Sequence, residues 1–227
     1  LKNVPILVGS DRYQTGLYAI EHFGVDTLIL DDGFQHLALK RDMNILLFDH
    51  QRPFGNGELF PAGELREPTD QVHRADFVFI TRYSGSSYPP GISEQLIKDL
   101  PIIKSTLRLD SLLSLSGGET VDIKKLQDQP IAAFSGIANP KDFRRLLEQS
   151  GARVVCYHPF PDHHEYNLSD LKYIEDSAIK SGAKIILTTE KDAVKIKPNS
   201  ISLPFYKVAL EMEILEGREV FNQQILS

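Results

Sequence analysis

The chain has 227 residues, enough for one large domain or two small ones, and its 41% hydrophobic and 25% charged residues call for an ordinary globular core. A net charge of -6 excludes the cationic face that non-specific nucleic-acid binding needs, so no nucleic acid is expected as a partner. The single cysteine, Cys156, rules out an internal disulfide and a cysteine-built zinc site and suits a reducing compartment. No apolar run approaches the roughly 20 residues that cross a bilayer, and no signal peptide is visible. A sequence that begins at Leu1 reads as processed or as a piece of something longer.

In chain order, short runs of Val, Ile, Leu and Phe alternate with segments of helical period, the pattern of α/β layers on mostly parallel strands. The first half predicts strands at 6–8, 27–30, 44–48, 77–81 and 102–107, with a helix over 13–23 that Gly24 closes. Residues 51–68, rich in Gly and Pro, read as a long loop of the kind that is functional or disordered. Residues 111–121, containing Ser116-Gly117-Gly118-Glu119, read as a hairpin and a domain boundary. The expected division is 1–110, a linker at 111–125, and 126–227. In the second half, strands are predicted at 131–134, 154–157, 184–188 and 205–210. Asn139 caps a helix with Pro140 at its first position, and Ser169 caps one that ends near Gly182. A short helix is expected over 192–196 and a terminal one over 218–226. Asn167-Leu168-Ser169 reads as a helix start rather than a glycan acceptor.

Chemistry concentrates in a few stretches. Leu28-Ile29-Leu30 runs into Asp31-Asp32-Gly33, which places two carboxylates at the carboxyl end of a predicted strand, where open α/β sheets bind ligands. Adjacent acids raise each other's pKa and call for a cation, Mg2+ above all; the alternative is a simple turn on Gly33. In the loop ending Glu64-Leu65-Arg66-Glu67-Pro68, glycine-flanked amides and Arg66 suit an anion and Glu67 suits a metal shell, or the pair is a solvated surface contact. Arg12, at a predicted helix start, is either an anion contact or a surface cation. Phe160-Pro161-Asp162-His163-His164 suits acid–base chemistry or metal ligation, or supplies hydrogen bonds within a loop; its spacing is not that of a helical zinc site. Thr188-Thr189-Glu190-Lys191-Asp192 is either a phosphate-side cluster or a helix cap.

Together, Asp31-Asp32-Gly33-Phe34-Gln35-His36, Gly55-Asn56-Gly57, Pro61-Ala62-Gly63-Glu64-Leu65-Arg66-Glu67-Pro68, Phe134-Ser135-Gly136-Ile137-Ala138-Asn139-Pro140, Phe160-Pro161-Asp162-His163-His164 and Thr189-Glu190-Lys191-Asp192-Ala193 resemble the tetraacyldisaccharide 4'-kinase (lipid A 4'-kinase) family across essentially the whole chain. The resemblance implies an atypical P-loop fold of two α/β/α domains joined by a hairpin linker, with the active site in the cleft between them. It implies transfer of the ATP γ-phosphate to the 4'-hydroxyl of an acylated glucosamine disaccharide 1-phosphate at the cytoplasmic face of the inner membrane. By the same analogy Asp31, Asp32 and Glu67 attend Mg2+, Arg66, Gln35 and His36 the nucleotide, and Arg12 a phosphate, while His163, beside Asp162, tunes a catalytic aspartate.

One departure is plain: the sequence holds no Gly-Lys dipeptide, hence no Gly-x-x-x-x-Gly-Lys-Ser/Thr loop. The family carries that loop, a membrane-docking helix and the catalytic aspartate upstream of the segment matching Val8-Gly9. The expectation is a chain inactive alone, with a first domain whose uncovered surface favours self-association. A scaffold role or a metal-dependent phosphohydrolase are the alternatives.

Overall fold

A computed structural model describes residues 4–85, 89–197 and 201–225, without the side chains of Glu94 and Gln95. It divides the chain into two compact units, one of Leu1–Thr106 with Ile214–Ser227 and one of Leu107–Glu213. The hairpin expected at 111–121 lies inside the second unit, and the chain end belongs with the first. Leu226 of the expected terminal helix falls outside the described residues.

The first unit begins with α1 (Arg12–Phe23), capped by the Asp11 side chain and closed by Gly24 in the left-handed conformation, φ 61°. Three parallel strands follow: β1 (Ile45–Asp49), β2 (Phe77–Thr81) and the first part of β3 (Ile102–Ser114). Period-two alternation sorts β2 between two clusters. Val78 and Ile80 pack with Phe48, Val72, Ile92 and Ile97 on one face. Phe77 and Phe79 pack with Ile103 on the other, where α6 (Arg218–Ile225) sets Phe221 edge-on to both rings, at 6.1 and 5.2 Å.

Two predicted strands are absent. Residues 6–8 and 27–30 have no ladder partner, and Val8 and Ile29 stand 97% and 93% exposed. A β-branched run makes a strand only when a neighbour takes its N–H and C=O groups, and no described segment does so here. Leu37 and Leu47 are exposed as well.

The second unit is a three-layer α/β/α arrangement. Parallel strands β5 (Pro130–Ser135), β6 (Arg153–Pro159), β7 (Ile185–Thr189) and β8 (Phe205–Glu216) stand in the order β6-β5-β7-β8. The latter half of β3 pairs antiparallel with β4 (Thr120–Asp122), forming the expected hairpin. Ile131 and Ala133 face α3 (Pro140–Gln149) through Phe143 and Leu147. Ala132 and Phe134 face α4 (Leu168–Lys180) through Leu171, Ile174 and Ala178. The cap of α4 is Asn167, not Ser169: its side chain accepts from the Asp170 N–H while Asp170 accepts from the Asn167 N–H, a reciprocal box that Ser169 is placed too late to make. The short helix expected at 192–196 starts earlier, as α5 (Glu190–Ala193), because Thr189 caps it.

From β5 the chain runs to β6 on one side and then back across β5 to β7. The carboxyl ends of β5 and β7 therefore meet at a topological switch point, where crevices form in open α/β sheets. Phe134 anchors that end, with rings from Phe160, Tyr166 and Phe205 around it at 5.2 to 6.3 Å. Phe134→Ala is expected to lower unfolding free energy by about 3–5 kcal/mol, read as a fall in urea midpoint at unchanged slope.

Candidate functional site

In the first unit the long loop folds on itself. The Leu65 N–H donates to Glu58 O at 3.1 Å, the Phe60 N–H to Leu65 O at 2.7 Å, and Asn56 Nδ2 to Ala62 O at 3.1 Å. Gly63 makes the closure possible, since a Cβ there would lie 2.2 Å from Glu58 O. The Phe60–Pro61 peptide is cis. Thus closed, the loop delivers Arg66 and Glu67 to the turn at 31–36. Arg66 Nη1 donates to Asp32 Oδ2 at 2.5 Å, and Gln35 Nε2 to Glu67 Oε1 at 3.4 Å.

The turn itself is set by a residue that sequence reading missed. The Arg41 guanidinium donates to the carbonyls of Gly33 (3.1 Å) and His36 and to Asn44 Oδ1 at 2.6 Å, tying the turn to the start of β1. Asp31 and Asp32 therefore lie in a turn, not at a strand end, and Asp32 has φ 51°. Arg74 was missed as well. It holds both oxygens of Glu67 at 2.5 Å and lies over the Phe34 ring at 4.5 Å. The Gln35–Glu67 and Asp32–Arg66 contacts join residues 32 and 34 apart in sequence, so no local pattern announces which of them meet.

The two ion pairs differ in kind. Arg66 and Asp32 are each about 60% exposed and contribute about 0–1 kcal/mol. Arg74 and Glu67 are near 20% exposed and fix the geometry of the loop. Among the described residues no three His, Cys, Asp or Glu side chains form a metal-ligating group. The structure thus brings Asp32 to Arg66 and Gln35 to Glu67 but not Asp31, Asp32 and Glu67 to one point. Mg2+ needs only one or two carboxylates when phosphate oxygens and water complete its shell, which the exposed Asp31–Asp32 pair fits. Arg12 opens α1, whose N-terminal amides of Tyr13 and Gln14 already donate to the Asp11 carboxylate, so an anion there is supplied from within the chain.

In the second unit the other candidates gather at the switch point. His163 takes a left-handed backbone, φ 61°, unusual for a residue with a side chain. Its N–H donates to Gly136 O at 3.2 Å and to Asp162 Oδ1 at 3.0 Å, and its ring is exposed. Lys191 Nζ donates to Asp162 Oδ1 at 2.7 Å and stands 3.5 Å from His163 Nε2. The Asp162 carboxyl lies below its usual value, first through that Lys191 hydrogen bond.

The paired histidines divide their work. His164 stacks on Phe160 and meets Asp170 Oδ2 at 3.0 Å, so it serves the start of α4. Asp192 is fully buried, its Oδ2 accepting the Gly136 N–H at 3.0 Å and the Thr189 hydroxyl at 2.7 Å. Tyr166 stands beside it, its hydroxyl pushed well above the usual tyrosine value by burial first and by the Asp192 charge second. Asp170, in turn, is held below its ordinary 3.8 by the Asn167 N–H first and His164 second. A depressed carboxyl stabilises the fold above its unfolded value and loses that contribution as pH falls through the folded one. Asp170→Asn is therefore expected to destabilise at neutral pH, and urea titrations should show the gap to wild type closing below the ordinary 3.8.

Comparison with known proteins adds the family. The family model described as tetraacyldisaccharide-1-P 4'-kinase, LpxK, matches residues 1–227. A tetraacyldisaccharide 4'-kinase of Syntrophus aciditrophicus is 44% identical over 223 residues, covering 93% of this chain and 60% of that protein. One of Geobacter sulfurreducens is 39% identical over 211 residues, covering 92% and 58%. The crystal structure of the "apo" form of LpxK from Aquifex aeolicus in complex with ATP superposes with a TM-score of 0.70 at 31% identity, over 95% of this chain and 62% of that one. The mixed α/β fold is the same, and the chain spans 60% and 58% of the length of these two curated relatives. Matched from its first residue to its last, the chain belongs to the tetraacyldisaccharide 4'-kinase family.

Proposed function

We propose that residues 1–227 are part of an ATP-dependent kinase that transfers the γ-phosphoryl group to the 4'-hydroxyl of an acylated glucosamine disaccharide 1-phosphate, a step of lipid A assembly. The observation that carries the reading is the convergence of two separate segments in the first unit, Arg66 on Asp32 and Gln35 on Glu67. A cationic fork beside exposed acids is what Mg-nucleotide phosphates require. In the reaction the 4'-oxygen bonds to the γ-phosphorus, the β–γ bridging bond breaks, ADP leaves, and the hydroxyl proton passes to a base. Positioning and charge carry most of such a barrier.

The residues then take these roles. Asp31 and Asp32 would hold Mg2+ with phosphate oxygens and water, and the ion supplies neutralisation of phosphate charge. Arg66 exchanges Asp32 for a phosphate oxygen, Arg12 contacts phosphate, and Gln35 and His36 border the nucleotide. Glu67 serves the metal side chiefly by fixing Arg74, which already occupies both its oxygens. His163 and Asp162 tune the base. The phosphate-cradling loop of an atypical P-loop kinase and the base itself are assigned to the family length that these residues do not span, since the sequence has no Gly-Lys dipeptide. That length is also where docking to the cytoplasmic face of a Gram-negative inner membrane is assigned; no described helix is long and apolar enough to cross a membrane. In isolation, exposed large apolar side chains such as Val8, Ile29 and Leu47 favour self-association. No observation favours the scaffold or phosphohydrolase alternatives.

In the polypeptide as its gene encodes it, Asp31→Ala and Asp32→Ala should each lower Mg-ATP-dependent phosphorylation of the disaccharide by about 100-fold or more at unchanged circular dichroism. Near-wild-type turnover in both variants overturns the metal assignment. His163→Ala should lower kcat more than it raises KM, measured by steady-state kinetics; a pure KM effect reassigns the residue to substrate binding.

A further inference from the structure

The left-handed backbone of His163 costs on the order of 1–3 kcal/mol and persists only where its surroundings over-determine it. What over-determines it comes from a single short turn, Thr189 to Asp192, at the end of β7. Asp192, with no solvent exposure, accepts the Gly136 N–H at 3.0 Å, and the Gly136 carbonyl accepts the His163 N–H at 3.2 Å. One peptide position thus carries the placement of a buried acid to the histidine backbone. The neighbouring residue, Lys191, reaches out of the same turn to Asp162 Oδ1 at 2.7 Å, and that oxygen accepts the same His163 N–H at 3.0 Å. His163 is held from both sides, once through the buried route and once through the exposed one.

The packing leaves this arrangement no slack. A Cβ on Gly136 would lie 3.0 Å from Tyr166 Oη, 3.1 Å from Asp192 Oδ1 and 3.1 Å from Pro161 O, so the loop over 160–166 rests directly on the Gly136 backbone. Asp192 is itself fixed, because the Thr189 hydroxyl donates to it at 2.7 Å while its own N–H donates to Thr189 Oγ1 at 3.1 Å. The lowered Asp162 carboxyl accords with an anion held by the Lys191 ammonium.

We propose that Lys191 and Asp192 are positioning residues of the phosphoryl-transfer site, setting the backbone of His163 through Asp162 and Gly136. The role rests on the kinase reading above, in which His163 works on the base; both residues act on it through Asp162 and Gly136. Both belong to the Thr189-Glu190-Lys191-Asp192 stretch, whose cap explains Thr189 and Asp192 but gives Lys191 nothing to do.

Two measurements separate the brace from the reading. In residues 1–227, amide hydrogen exchange at His163 should quicken about tenfold in Lys191→Gln and in Asp192→Asn, with exchange in β5 and α4 unchanged for the Lys191 variant. In the polypeptide as encoded, Lys191→Gln should lower kcat about tenfold with KM for ATP unchanged, and Lys191→Arg should restore most of it. Unchanged exchange at His163 in Lys191→Gln overturns the proposal, whether or not the buried Asp192 variant folds. Faster exchange with a wild-type kcat upholds the brace and locates the failure in the role given to His163.

Discussion

One carboxylate that never meets water organises the second unit. Burying the Asp192 anion is costly unless charge-assisted hydrogen bonds replace its hydration. The Gly136 N–H and the Thr189 hydroxyl supply that replacement at Oδ2, while the buried Oδ1 has no hydrogen-bond partner among the described residues. The consequence is geometric: Oδ2 keeps both bonds only if the ends of β5 and β7 stay at one separation. The segment from Phe160 to Tyr166, which follows β6, rests on the Gly136 backbone at the end of β5, and the Tyr166 hydroxyl is pushed above its usual value by burial first and by the Asp192 charge second.

The first unit solves an opposite problem. Its candidate charges Asp31, Asp32 and Arg66 stand near the surface, where burial cannot fix them, and the turn and loop that carry them are held by cations a few residues away. Arg41 shapes the turn through backbone carbonyls, and Arg74 locks Glu67 while covering Phe34. Guanidinium groups suit the task because they stay charged and fork to two acceptors at once. The long loop is closed by its own amides, anchored on the core by Phe54 and held at its end by Arg74.

Legibility followed the source of each feature. Strand 77–81 was readable to the residue because its alternation serves two real clusters, and the Asn139–Pro140 helix start because Pro prefers that position. The segment 27–30 misled because a strand is a property of two chains of backbone, and its own sequence says nothing of the second. Asp31, Asp32, Arg66, Glu67 and His163 stood out through residue type and motif. Arg41, Arg74 and the brace role of Lys191 did not, since a lone cation looks the same in sequence whether it holds a carbonyl or carboxylate a few residues away, one further along the chain, or only water. His163's positive φ was equally hidden: nothing about histidine asks for it, and only the surrounding hydrogen bonds enforce it.

The Arg66–Asp32 contact has a thermodynamic side. Two exposed ions at 2.5 Å cancel each other's field at little net gain, so the pair is easily exchanged. A lone anion arriving at Arg66 strands Asp32, and a lone cation arriving at Asp32 strands Arg66. A ligand that brings both signs together strands neither. On the kinase reading, any coupling of anion to cation binding through this pair is the same in both directions and is bounded by the pair's own net worth, about 0–1 kcal/mol.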